Sequence, residues 1–371
     1  MVDVLYSAPV MTAPTSNVIQ RGGLRGLLDF LHEQRARGLS LAMATVVETC
    51  GATYRKAGAA MLIAADGRWR GLLSGGCLEG DLAHHAGDVI RGAGARVVEY
   101  DLEAMTDAVF GFGLGCEGSV RVLLEGIGPE NDWEPLASLG RLAMQGVRGC
   151  HLRVVDSTVA EWPVGTWCTT DETGSILGTA GLTELAGPAP LTGVGEYRVK
   201  EGRLRLLATA IPRVPRLVVL GAAPDAKPVV HLAAALGWRI TVVDHRPAFA
   251  DSGALPGADQ VLLTAGDDLP FATRLDAADA VIIMSHNLEA DARYLRAALA
   301  APVGYIGLLG PVARRNRLLE MAGAAPTDRG RVYGPVGLDL GGEGPEAVAL
   351  AIIAEIQMVL AQRTGAHRDP R

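Results

Sequence analysis

Arg216 to Pro247 read RLVVLGAAPDAKPVVHLAAALGWRITVVDHRP. A short apolar run enters a glycine-containing turn, a helical stretch follows, and a second apolar run ends on an acidic residue, Asp244. Downstream, DQVLLT, AVIIMS and YIGLLG are further short apolar runs separated by helical stretches. A last helix spans roughly Pro345 to Ala361 and opens on proline, where proline is tolerated. Apolar strands that alternate with helices belong in a parallel sheet covered on both faces. Residues 216–371 are therefore expected to form an α/β domain, a Rossmann-like doubly wound parallel sheet.

The turn after the first strand of such a sheet carries a phosphate fingerprint of spaced glycines, backed by an acid about twenty residues on. Here it reads Gly221-Ala222-Ala223-Pro224-Asp225-Ala226, with Asp244 as the acid. Ala223 stands where a glycine lets main chain approach a pyrophosphate, which weakens dinucleotide binding while leaving a helix start as an anion site. Asp225 either caps that helix or repels phosphate. Asp244-His245-Arg246, Ser285-His286-Asn287 and Gly307-Leu308-Leu309-Gly310 each close a predicted strand. Open α/β sheets bind ligands at that edge, so a site for something anionic is expected there.

Upstream, AIPRVPR reads as a linker, with Pro212 and Pro215. From Trp133 to Ile211 the pattern is weak, a helix in DWEPLASLGRLAMQG and antiparallel strands after it. Earlier, Leu24, Leu27, Leu28 and Leu31 share one helical face, and AAMLIAADGRWRGLLSGG reads as a hairpin turning at Asp66-Gly67. The hairpin runs into GLLSGGCLEG, Gly71 to Gly80, where the period changes to that of a helix. A second glycine-rich turn, GFGLGCEG, holds Cys116. A cysteine at a strand-to-helix turn has its thiolate favoured by the amides and dipole of the helix start. Such a sulfur serves as nucleophile, persulfide carrier or soft metal ligand. The bland alternative is a small apolar filler. Glycine content tips Cys77 towards function, and Cys116 less so.

Composition removes other classes. The 371 residues are 49% hydrophobic and 20% charged with net charge −7, and no Lys/Arg run suggests a nucleic-acid track. No eighteen consecutive residues are apolar, so no membrane span is expected, and the N-terminus does not read as a secretion signal. Five scattered cysteines without a CxxC pair fit a reducing cytoplasm better than a disulfide framework or zinc site.

With these motifs in place, the chain resembles the XdhC/CoxI accessory proteins of molybdenum hydroxylases. The carriers are GATYRKAGAAMLI, LLSGGCLEG, YDL with GFGLGCEG, VVLGAAPDAKPVVHLAAALGW, VVDHRP, IIMSHN, YIGLLGPVARR and GPVGLDLGGEGPEAVALAIIAEI. The resemblance implies an N-terminal XdhC/CoxI α+β domain, here residues 18–211 including the weak segment 133–211, and a homodimer. It also implies transient binding of the molybdenum cofactor (molybdopterin), sulfuration with a cysteine desulfurase, and delivery to a molybdenum hydroxylase apo-enzyme of the xanthine dehydrogenase type. Carried over by motif, Ser74, Gly75, Gly76, Cys77 and Glu79 form the signature site, Cys77 being the metal or sulfur ligand, with Cys116 second. Gly221, Ala223, Asp225, Asp244 and His286 line the Rossmann edge. Ala223 and Glu117 replace the glycines usual in the family, and Ser285 the usual threonine. The competing reading is an NAD(P)-dependent oxidoreductase with Asp244 on a ribose hydroxyl or Arg246 on a 2′-phosphate. A scaffold that only docks the hydroxylase and desulfurase is a third.

Overall fold

The computed structural model describes residues 20–51, 53–76, 78–92, 94–101, 118–179, 181–182, 193–264, 269 and 273–367. The described residues divide into two compact units, one within Gly23–Arg213 and the other formed by residues 20–22 with residues 214–367.

The first unit runs α1 (Gly23–Ala36), β1 (Leu41–Gly51), β2 (Ala60–Ala64), β3 (Trp69–Gly71), α2 (Glu79–Ile90), β4 (Arg96–Asp101) and β5 (Gly118–Ile127). It continues through α3 (Leu136–Gln145), β6 (Gly149–Ser157), β7 (Trp167–Asp171), β8 (Ile176–Gly178), β9 (Gly193–Val199) and β10 (Gly202–Ala210). Among the described residues these strands make two five-stranded antiparallel sheets, β3-β2-β1-β5-β4 and β8-β7-β6-β10-β9. The weakly patterned segment after Trp133 is thus α3 plus a whole sheet. Strand β1 is buried from Leu41 to Val47 because both its faces are covered. Ala42, Ala44 and Val46 meet Leu82, Ala86 and Val89 of α2. Leu41 and Met43 point the other way and pack on Leu27, Leu28 and Leu31 of α1. Further along that face Val47 and Leu123 meet Val155 and Leu207 of the second sheet.

The second unit runs β11 (Arg216–Leu220), α4 (Ala226–Ala235), β12 (Arg239–Asp244), β13 (Gln260–Leu263), β14 (Ala280–Ile283) and α5 (Leu288–Ala300). Then come β15 (Tyr305–Leu308), α6 (Val312–Ala322), β16 (Val332–Tyr333) and α7 (Pro345–Leu360). Its six described strands are all parallel in the order β13-β12-β11-β14-β15-β16, the doubly wound order the sequence predicts. Leu217, Val219, Ile240 and Ile282 face α4 and α7. Val218, Leu220, Val281 and Ile283 face α5 and α6. The central strands β11 and β14 are thereby apolar on both faces, as a sheet sandwiched between helices requires. No described helix is long and apolar enough to cross a membrane.

Candidate functional site

The glycine-rich loop between β3 and α2 is tied from within by one carboxylate. Glu79, the first residue of α2, is 1% exposed. Its Oε1 accepts the amides of Leu73 at 2.9 Å and Ser74 at 2.8 Å, and its Oε2 accepts the Ser74 hydroxyl. The Ser74 Oγ in turn accepts the amides of Gly76 at 3.2 Å and Leu78 at 3.0 Å. Burial pushes the Glu79 carboxyl up, but the bonds from the Ser74 hydroxyl and the two amides outweigh it and hold it below its ordinary value. A ring of hydrogen bonds therefore ties Leu73, Ser74, Gly76 and Leu78 to Glu79, directly or through the Ser74 hydroxyl, with Leu73 and Leu78 buried. Gly76 has φ +114°, which its lack of a Cβ permits. Gly75 and Gly76 are exposed, and a Cβ on either would meet nothing within 4 Å. The loop thus presents bare main chain and open space at Gly75 and Gly76. Cys77 and Cys116 lie outside the described residues, as does Glu117.

Topology brings the flanks of both glycine-rich turns to one end of the first sheet. Gly71 pairs with Met61 where β2 begins, and Gly51 at the end of β1 pairs with Gly118 at the start of β5. Asp101, the last residue of β4, pairs with Ser119. The Tyr100 hydroxyl donates to Asp81 of α2 at 2.7 Å, fastening the helix start to this end. Burial, then Asp81, pushes the Tyr100 phenol far up, so it stays protonated. Glu48 of β1 accepts Arg121 at 2.9 Å and Arg205 at 2.9 Å, fastening the second sheet here too. The sequence carries no signal for Asp81, Tyr100 or Glu48 as partners, because each pairing crosses between elements.

The remaining described thiols differ. Burial and then the neighbouring Cys150 push Cys168 up to about 11, and burial raises Cys150. Cys50, at the end of β1, is exposed. Among the described residues no three His, Cys, Asp or Glu side chains gather as a metal site.

In the second unit, β11 and β14 are adjacent while their following helices lie on opposite faces, which opens the switch-point crevice. Gly221 sits there with φ +129°, its Cα so close to β14 that a Cβ would come within 2.5 Å of the Met284 carbonyl. Ala223 is buried in the turn. Asp225 occupies the cap position of α4, yet its side chain makes no cap bond. It pairs instead with His286 Nε2 at 2.7 Å, across the crevice. His286 is exposed and has φ +63°, a left-handed conformation unusual outside glycine.

Asp244 is fully buried and its carboxylate is saturated. It accepts the Ala222 amide at 2.8 Å, the Arg246 amide at 2.9 Å, and Arg246 Nε and Nη2 at 2.9 and 2.8 Å. Burial raises its pKa, and these bonds more than reverse the shift. The Arg246 guanidinium also lies 4.2 Å from the Phe249 ring. Asp291, unmarked in the sequence, ties the neighbouring strand end: Ser285 Oγ donates to it at 2.5 Å and Arg314 Nη2 at 2.6 Å. The hydroxyl is what that position requires, and serine supplies it.

Residues 34–101 match the model of the XdhC and CoxI family, and residues 217–356 that of the XdhC Rossmann domain. A relative from Bacillus subtilis, named as a probable xanthine dehydrogenase subunit, is 30% identical over 338 residues, covering 90% of this chain and 97% of its own length. The chain belongs to the XdhC and CoxI family. A second relative of this XdhC and CoxI protein, the molybdenum cofactor insertion chaperone PaoD of Escherichia coli, is 25% identical over 90% of this chain and 88% of its own. A crystal structure described as a xanthine dehydrogenase from Bacillus halodurans superposes with TM-score 0.75 at 28% identity, covering 92% of this chain and 98% of that one.

Proposed function

We propose that this XdhC and CoxI protein binds the molybdenum cofactor as cargo, supports its sulfuration with a cysteine desulfurase and delivers it to a molybdenum hydroxylase of the xanthine dehydrogenase type. The observation that carries the proposal is the Glu79–Ser74 ring, which spends a buried carboxylate on holding the bare stretch that leads to Cys77 in the sequence. A carrier has to hold its cargo and release it, which suits one thiol beside open main chain better than a closed cage of ligands. Kinship with a cofactor insertion chaperone supports the same reading. At the Rossmann edge, Gly221, Ala223, Asp225 and His286 are assigned to cargo binding, with His286 and Asp225 as the pair open to a ligand, whereas Asp244, expected from the sequence to bind cofactor, is buried and spent on the Ala222 amide and Arg246. The nicotinamide reading asks Asp244 for a ribose hydroxyl or Arg246 for a 2′-phosphate, and these two groups already satisfy each other.

The test is cofactor content. Full-length protein made alongside cofactor synthesis is expected to carry molybdenum and pterin in near-stoichiometric amounts, and Cys77→Ala to lose most of both. Undiminished loading of Cys77→Ala removes that residue from the site. A wild-type protein that binds NADH or NADPH below micromolar, with no pterin, replaces the proposal with the oxidoreductase.

A further inference from the structure

The motif GATYRKAGAAMLI places Tyr54, Arg55 and Lys56 in the connection from β1 to β2. All three are exposed, Tyr54 at 64%. The connection is nonetheless built: the Ala59 amide donates to the Lys56 carbonyl at 3.1 Å and the Thr53 hydroxyl to the Arg55 carbonyl at 3.1 Å. Main-chain bonds of 2.8 Å from Val46 to Ala59 and from Gly58 to Val46 anchor its return. It leaves the same end of the first sheet as the Ser74–Glu79 loop, since Thr45 pairs with Ala60 and Met61 with Gly71.

Among the described residues, charge at this end is unbalanced. Glu48 is committed to Arg121 and Arg205, Glu79 to Leu73 and Ser74, and Asp81 to Tyr100, while Asp101 is engaged as well. Among the described residues Arg55 and Lys56 have no ion-pair partner. Two successive cations that follow an exposed tyrosine in the chain, in a connection that leaves the same sheet end as the bare Gly75–Gly76 stretch, match a small ligand with an anionic group and a flat heterocycle.

We infer that Tyr54, Arg55 and Lys56 form the phosphate grip of the cargo site: the cations hold a phosphate monoester and Tyr54 stacks on the attached ring. The identity of the cargo rests on the function proposed above, while the anion site does not.

Three full-length variants test this, Arg55→Ala/Lys56→Ala, Arg55→Lys/Lys56→Arg and Tyr54→Ala, read by inorganic phosphate titration and by molybdenum and pterin content. The double alanine variant is expected to keep the wild-type unfolding midpoint, because the side chains are exposed, and to lose about tenfold in phosphate affinity for each cation removed. Its cargo content falls with it, and the charge-conserving swap retains both. Tyr54→Ala lowers cargo content but leaves phosphate affinity intact, since phosphate has no ring to stack. Unchanged phosphate affinity and cargo content in the double alanine variant overturn the inference. Unchanged cargo with lost hydroxylase activation also overturns it, marking a protein-docking patch instead. A wild type that carries no pterin, yet binds phosphate only with Arg55 and Lys56 present, keeps the anion site and removes the cargo reading.

Discussion

Glu79 shows how one side chain turns a glycine-rich stretch into a defined loop. Replacing it with alanine leaves the Leu73 and Ser74 amides without acceptors under a buried surface. That is expected to cost roughly 2–4 kcal/mol in urea denaturation. Its carboxyl lies below the ordinary value of 4.5 in the folded protein. The stability it adds is therefore complete above that value and is lost as the pH falls through the folded pKa. The advantage of wild type over Glu79→Gln should shrink below pH 4.5, and a pH-independent difference would show that the charge is not what holds the loop. Thiol chemistry divides at the same scale. Native alkylation at neutral pH, mapped by mass spectrometry, should label exposed Cys50 while sparing Cys168, which is buried and raised to about 11. Labelling of Cys168 as fast as Cys50 contradicts this packing.

Two glycines look alike in the sequence and differ once their elements are placed. Gly221 follows β11 beside the end of β14, where a Cβ would press within 2.5 Å of the Met284 carbonyl and φ is +129°. Gly221→Ala should destabilise the protein by about 2–4 kcal/mol, since main chain has to move to admit the methyl group. Gly75, between β3 and α2, has open space around its Cα. Gly75→Ala should stay within about 0.5 kcal/mol of wild type in the same measurement. If the two substitutions cost the same, the close contact of β11 with β14 is not the reason for Gly221. The loop glycine serves access, and the sheet glycine serves packing.

Across the first unit, the two sheets meet through a small apolar cluster and one buried ion pair, Arg153 of β6 with Glu125 of β5. Both side chains are almost wholly buried, and burial, against the pull of Arg153, raises the Glu125 pKa. Arg153→Met is expected to cost about 3–5 kcal/mol because it strands Glu125, whereas adding Glu125→Leu should recover most of the loss. Additive losses in this double-mutant cycle would mean that the two groups do not depend on each other.

Much of this architecture is legible in one dimension. The apolar runs between Arg216 and Gly310 announce a sandwiched parallel sheet, and the switch from alternating to helical period after Gly76 announces α2. Both are short-range properties, set by which faces of adjacent residues must be buried. The segment after Trp133 reads poorly because several of its strands are partly exposed on both faces, so alternation is blurred: β9 has no fully buried residue. The sites divide the same way. Motif and spacing single out Ser74, Glu79, Gly221, Asp225, Asp244 and His286, but not how they pair. That Glu79 folds back on Ser74, that Asp225 reaches His286 instead of capping its helix, and that Asp244 is saturated by Arg246 emerge only from the tertiary structure. A carboxylate's bonding capacity is filled by whichever donors the strand order brings beside it, and strand order is a property of the whole sheet rather than of any stretch of chain.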